Sequence, residues 1–146
     1  MRVEPYLMFD GRCEEALEFY RSAVGAEVTM LMRYRDSPET PSGECAPATP
    51  IAGDKVMHAG FRIGSTFLMA SDGYARGQPV FQGVSLSLAA ADPAEAGRLF
   101  DALADGGTAT MPLSPTFFSP AFGMLTDRFG VAWLVVCDPA PQEPSA

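Results

Sequence analysis

Histidine is almost missing from this chain: His58 is the only one among 146 residues. Basic side chains are scarce too, 10 Lys and Arg against 18 Asp and Glu, for a formal net charge of −8. No basic run exists, so nothing is there to displace the counterions of a nucleic acid, and a nucleic-acid partner is excluded as an expectation. The three cysteines, Cys13, Cys45 and Cys137, are widely spaced with no C-x-x-C. That argues against a disulfide framework and against a structural zinc site. No apolar run approaches the roughly 20 residues that span a bilayer. The opening "MRVEPYLMFDG" has no apolar signal-peptide core. The expectation is a soluble cytoplasmic protein, with no membrane partner.

What is present is an ordinary globular composition, 47% hydrophobic. The length suits one domain, which buries roughly 70% of its unfolded surface and folds without a disulfide or a metal. Strand and helix patterns alternate along it. Val3 to Phe9 is short, apolar and aromatic, and reads as a strand. In "RCEEALEFYRSAVG", Ala16, Leu17, Tyr20, Ala23 and Val24 recur at helical spacing until Gly25. Glu27 to Tyr34 reads as a strand, and the Pro-rich segment 35–50 as a loop. "KVMHAGFRI" and "FLMASD" read as a hairpin across Gly64-Ser65. The series then restarts: strand "GVSLSLAA", a helix opened by Asp92-Pro93, and strands "TATMPL", "MLTDRF" and "VAWLVVCD". The tail 139–146 reads as frayed.

The pattern is strand–helix–strand–strand–strand, twice. Glu14, Phe19, Ala23 and Gly25 match Glu95, Phe100, Ala104 and Gly106, all 81 positions later. Gly64, Leu68 and Asp72 match Gly130, Leu134 and Asp138, with Phe67 answering Trp133, all 66 later. The 15-residue difference falls at the Pro-rich loop. The expected fold class is α+β: tandem βαβββ modules with mixed sheets, module one about 1–75 and module two about 80–138 of one domain.

The stretches "PYLMFDGRCEEALEFYRSAVGAEV", "DKVMHAGFRIG", "LMASD", "GVSLSLAAADPAEAGRLFDALADGGTATMPL" and "FGMLTDRFGVAW" resemble the vicinal-oxygen-chelate superfamily of glyoxalases, bleomycin-resistance proteins and extradiol dioxygenases. Within it they are similar to the PhnB-like branch, over about Val3 to Cys137. Branch members commonly carry a Trp-Gly in the loop after "MPL", where this chain has "TFFSPAFG". The resemblance implies a homodimer and a cleft of two curved sheets, in which a divalent metal is held from the first and last strand of each module. Carried over, those ligand slots fall on Pro5, Leu68, Leu134 and Ser85, or Leu86 with a one-residue slip. None is His, Glu, Asp or Cys, so no metal ligand and no cofactor is expected. Names in this branch refer to ubiquinone methylation, but no Gly-rich strand-to-helix loop for a nucleotide-like cofactor is present.

A three-residue turn, Gly64 to Thr66, would pair Ile63 with Phe67 and His58 with Asp72. His58, Arg62, Leu68 and Asp72 would then share one face, and Phe61, Ile63, Phe67 and Met69 the face toward the helix. His58 and Asp72 are the candidate catalytic pair; the alternative is a structural histidine. The candidate ligand contacts are His58, Arg62, Leu68 and Asp72 with Phe9, Ser85, Phe117, Phe118 and Leu134. Phe117, Phe118 and Phe122 would lid a small apolar pocket or bury in a dimer seam. Asp127 and Gly130 read as a capped hairpin turn, with Trp133 against the second helix. With no second histidine to activate it, Cys13 is no nucleophile. Two functions remain: a metal-free protein binding a small, partly apolar molecule, and a lyase, isomerase or dioxygenase that uses either a divalent metal held by unconventional donors such as His58 and Asp72 or acid–base residues.

Overall fold

Alternating burial along the strands and two amphipathic helices produce two sheets, each covered on one face by one helix. The computed structural model describes residues 1–38, 51–73 and 79–139. The order is β1 (Tyr6–Met8), α1 (Cys13–Val24), β2 (Glu27–Arg33), β3 (Val56–Ile63), β4 (Thr66–Ser71), β5 (Leu86–Ala90), α2 (Pro93–Ala104), β6 (Thr108–Ser114), β7 (Phe122–Thr126) and β8 (Ala132–Cys137). This is the expected α+β series of two βαβββ modules. A single 3-10 turn at Tyr34–Asp36 occupies the start of the segment read as loop. The rest of that loop from residue 39 to 50, with Cys45, and the tail from 140 lie outside the described residues. The chain divides into two compact units, Met1–Pro79 and Val80–Ala146.

In the first unit the sheet order is β1-β4-β3-β2, with β1 parallel to β4 and the other pairs antiparallel. α1 buries Cys13, Ala16, Leu17, Tyr20 and Ala23. Tyr20 packs between Phe9, with ring centroids at 6.1 Å, and Phe61, stacked at 6.3 Å. Gly25 closes the helix in the left-handed region at φ 67°, its N–H bonding Arg21 O, a conformation a Cβ would strain.

The two helices begin differently. α2 is capped locally: Asp92 Oδ1 accepts from Glu95 N at 2.8 Å, and Glu95 Oε2 accepts from the N–H of Ala91, one residue before the cap, at 2.7 Å. α1 starts after Arg12, which makes no side-chain cap. Its first turn is capped from another strand, because Asp72 Oδ1 accepts the N–H of Cys13 at 2.7 Å. The other oxygen of Asp72 accepts the N–H of Val56 at 2.7 Å. Asp72 is buried, so the carboxylate ties β3, the end of β4 and α1 together.

The second unit repeats the order as β5-β8-β7-β6. α2 lies on the face carrying Leu125, Trp133, Val135 and Gly123. A Cβ on Gly123 would lie 2.7 Å from the Phe100 ring and 3.0 Å from the Leu113 backbone, so only glycine lets α2 approach this closely. Asp127 caps the β7–β8 turn, as expected. It accepts from Phe129 N and Val131 N at 2.9 and 3.0 Å, and from the Trp133 indole at 2.9 Å.

Candidate functional site

The hairpin register decides which residues face away from α1. Ile63 pairs with Thr66, Arg62 with Phe67, Phe61 with Leu68 and Gly60 with Met69. The turn therefore holds two residues, Gly64 and Ser65, and the three-residue turn expected from the sequence is wrong. A one-residue difference inverts every facing. Leu68 lies with Phe61 in the core under α1, at 3% exposure. Phe67 and Met69 lie on the opposite, open face with Arg62 and His58. Phe67 settles over Gly60, where an added Cβ would meet its Cζ at 2.9 Å.

The same register fails for the repeat. β3 and β4 are joined by two residues, whereas Thr126 pairs with Ala132 across five. The odd difference puts Trp133 on the helix side and Leu134 on the open side, opposite to Phe67 and Leu68. Leu134, half-buried, pairs with Ser87 and Met124 on the open face of the second sheet.

His58 is not paired with Asp72. Its Nδ1 lies 2.8 Å from the hydroxyl of Tyr6, with the two rings tilted at 5.4 Å. Both oxygens of Asp72 are engaged by backbone N–H groups, as given above. Tyr6 reaches His58 across β4: Tyr6 pairs with Met69, and Met69 with Gly60 beside His58. Burial pushes the Tyr6 phenol above its ordinary value, opposed by a hydrogen bond with Ser71, so the phenol stays neutral. A neutral phenol can donate to Nδ1, which places the imidazole proton on Nε2, or accept from Nδ1–H, which leaves the Nε2 lone pair exposed.

Around this pair the open face is apolar and rich in sulfur. Cross-strand partners share a face, so one row reads Tyr6, Met69, Gly60, Met30 and the next holds Met8 opposite Ser71, and His58 opposite Met32. Tyr6, Met8, Met30 and Met32 are 41, 49, 43 and 37% exposed. Glu27 pairs with Arg62 at the far end, and Arg62 also donates to Ser65 O at 3.3 Å. Tyr6 and the methionines of this face were missed in the sequence. The alternation "YLM" and "MLM" was the available signal.

The remaining expected contacts distribute as follows. Phe9 is 1% exposed and packs on Tyr20, so it is core and not a ligand contact. Ser85 is exposed just before β5. Phe117 is fully exposed and stacks edge-on against Phe118, which stacks on Phe122, with centroids 5.1 Å apart in both cases. Phe122, paired with Val136, carries this aromatic ladder onto the open face of the second sheet.

The expected metal slots hold no suitable donor. Pro5 is half-buried with its carbonyl accepting from Met69 N, and Leu68 is core. The open-face positions on the same strands are Tyr6, Met8, Phe67, Met69, Ser87, Ala89, Leu134 and Val136. These groups do not fit a divalent ion that needs several carboxylate or imidazole donors. Among the described residues, no three His, Cys, Asp or Glu side chains gather.

Two helix-covered sheets of this topology define the vicinal-oxygen-chelate fold. A glyoxylase/bleomycin resistance protein/dioxygenase domain from Frankia sp. EAN1pec superposes with TM-score 0.65 over 95% of this chain and 98% of that one, at 16% identity, a likeness of fold alone. The chain belongs to the PhnB-like family described as 3-demethylubiquinone-9 3-methyltransferase, whose model matches residues 1–136. It is 34% identical to Protein YjdN of Escherichia coli K12, over 92% of this chain and 94% of that protein. The crystal structure of protein PA1353 from Pseudomonas aeruginosa matches at TM-score 0.79 and 44% identity, over 94 and 98% of the two chains. A PhnB protein from Bacillus cereus matches at TM-score 0.77 and 29% identity, over 94 and 99%.

Proposed function

We propose that this chain binds a small, partly apolar molecule on the open face of its first sheet, without the divalent metal centre of its superfamily. The observation that carries the reading is the Tyr6–His58 hydrogen bond of 2.8 Å set among Met8, Met69, Met30, Met32 and Phe67. Thioethers and an aromatic ring supply adaptable apolar contact. The fixed pair supplies one oriented polar contact, the imidazole Nε2–H, to a carbonyl, hydroxyl or ether oxygen of the ligand. Arg62 lies on the same face, while Ser85, Phe117, Phe118 and Leu134 are candidate contacts on the second unit, taken by itself. A homodimer accompanies this reading, checked by light scattering.

Native mass spectrometry of the gently purified chain is expected to reveal a bound organic molecule. Methyl NMR with that molecule is expected to shift Met8 and Met69, and Tyr6→Phe to weaken binding by about tenfold, as loss of one oriented hydrogen bond predicts. Shifts confined to other methyls would sink the reading. The same pair favours one alternative, an acid–base lyase or isomerase. Robust turnover in a glyoxalase assay, with or without added nickel or zinc, would replace binding by catalysis.

A further inference from the structure

The geometry points to a second use of this face: we propose that Met30, Met32 and His58 bind a soft monovalent cation of the Cu(I) or Ag(I) class, beside the Phe67 ring. Met30 and Met32 lie two apart on β2, so their thioethers leave the sheet on one side. Met32 is the direct partner of His58, and Met30 that of Gly60, two residues further along β3. Side chains so placed have Cβ atoms about 4.5–5.5 Å apart for the direct pair, a gap that an unbranched thioether with three rotatable bonds closes readily. Met30 and Met32 remain 43 and 37% exposed, so a cation reaches them from solvent.

The donor chemistry selects the ion. Two thioethers and one imidazole are soft and borderline donors, which favour Cu(I) and give a hard divalent ion too little oxygen. Glu27 is the carboxylate on the same strand face, and it stands at the far end, opposite Arg62 in register. His58 is held as metal-binding imidazoles are, through its other ring nitrogen. A cation selects the other tautomer from the one that offers Nε2–H to an organic ligand: Nδ1–H then donates to the Tyr6 oxygen and Nε2 presents its lone pair. The Phe67 ring lies over Gly60, the register partner of Met30, and an aromatic ring beside a cation adds a favourable electrostatic contact. The site uses the β2–β3 half of the face and stands whether or not an organic molecule binds.

The test is Ag(I) titrated into the full chain carrying Cys45→Ser and methyl-labelled methionine; Cys13 and Cys137 are buried. The expected result is saturation at about one equivalent, shifting the Met30 and Met32 methyls and the His58 Nε2 resonance, with Met111 and Met124 unmoved. Met30→Leu and Met32→Leu, which keep the apolar volume, are each expected to lower affinity at least about tenfold, while zinc shifts neither methyl. Shifts that never saturate, equal shifts at Met111, or unchanged affinity in both folded leucine variants would overturn the proposal. Each of these leaves the organic-ligand reading to its own test at Met8 and Met69.

Discussion

The carboxylate of Asp72 accepts the backbone N–H of Cys13 at 2.7 Å, across 59 residues of sequence. Together with its bond to Val56 N, it makes a charged side chain the N-terminal cap of a helix it does not belong to. Asp72→Ala strands two buried N–H groups, so a loss of about 3 kcal/mol or more is expected, read as a lower urea midpoint at unchanged m. Asp138, its counterpart in the repeat, is exposed, and Asp138→Ala is expected to change the midpoint by less than about 0.5 kcal/mol.

The facing of the two leucines separates the observed register from the expected one. Leu68→Ala empties core volume beneath α1 and is expected to cost about 2–5 kcal/mol. Leu134→Ala, on the open face of the second sheet, is expected to cost well under half of that. Equal losses in denaturant unfolding would contradict the two-residue Gly64-Ser65 turn.

Two glycines predict unequal penalties. Gly123→Ala drives a Cβ against the Phe100 ring and the Leu113 backbone, and about 1–3 kcal/mol of destabilisation is expected. Gly60→Ala meets mainly the Phe67 ring on the open face, which swings aside. Thermal unfolding is expected to show the smaller loss for Gly60→Ala, accompanied by changed shifts of the Met30 methyl.

Burial pushes the Cys13 thiol far above its ordinary value, and the nearby charges of Asp72 and Glu14 push it further. A thiol attacks as the thiolate, so Cys13 is expected to be inert in the folded chain. In a Cys45→Ser background, an aromatic disulfide reagent at pH 8 is expected to label neither Cys13 nor Cys137 until guanidinium is added. Rapid labelling of Cys13 in the native chain is the contrary result.

The Arg33 guanidinium, bonded to both oxygens of Glu14 at 3.0 and 2.7 Å, holds that carboxyl below its ordinary value of 4.5. A lowered folded value means the contribution is fully present above 4.5 and disappears as pH falls through the folded value. The pair is largely exposed, so the effect is small and weakened by salt. Glu14→Gln is expected to flatten the acid limb of the stability profile slightly at low ionic strength; an unchanged limb would remove the pair from the account.

The sequence by itself determined the class of fold. Apolar residues at period two and at helical spacing, punctuated by glycine and proline, specify local structure, and β1 to β8 with both helices follow the order read from them. The cap at Asp92 and the capped turn at Asp127 were legible for the same reason: their partners lie within six residues. Only the tertiary structure decided the site. A strand's facing hangs on whether a turn holds two residues or three, which Gly64-Ser65-Thr66 leaves open, and a one-residue slip exchanges Leu68 for Phe67. The pairing of Tyr6 with His58, and of Asp72 with Cys13, joins residues 52 and 59 apart. Such pairs form because two non-consecutive strands, β1 and β4, lie side by side. No local preference of the chain encodes which side chains that adjacency brings within hydrogen-bonding distance.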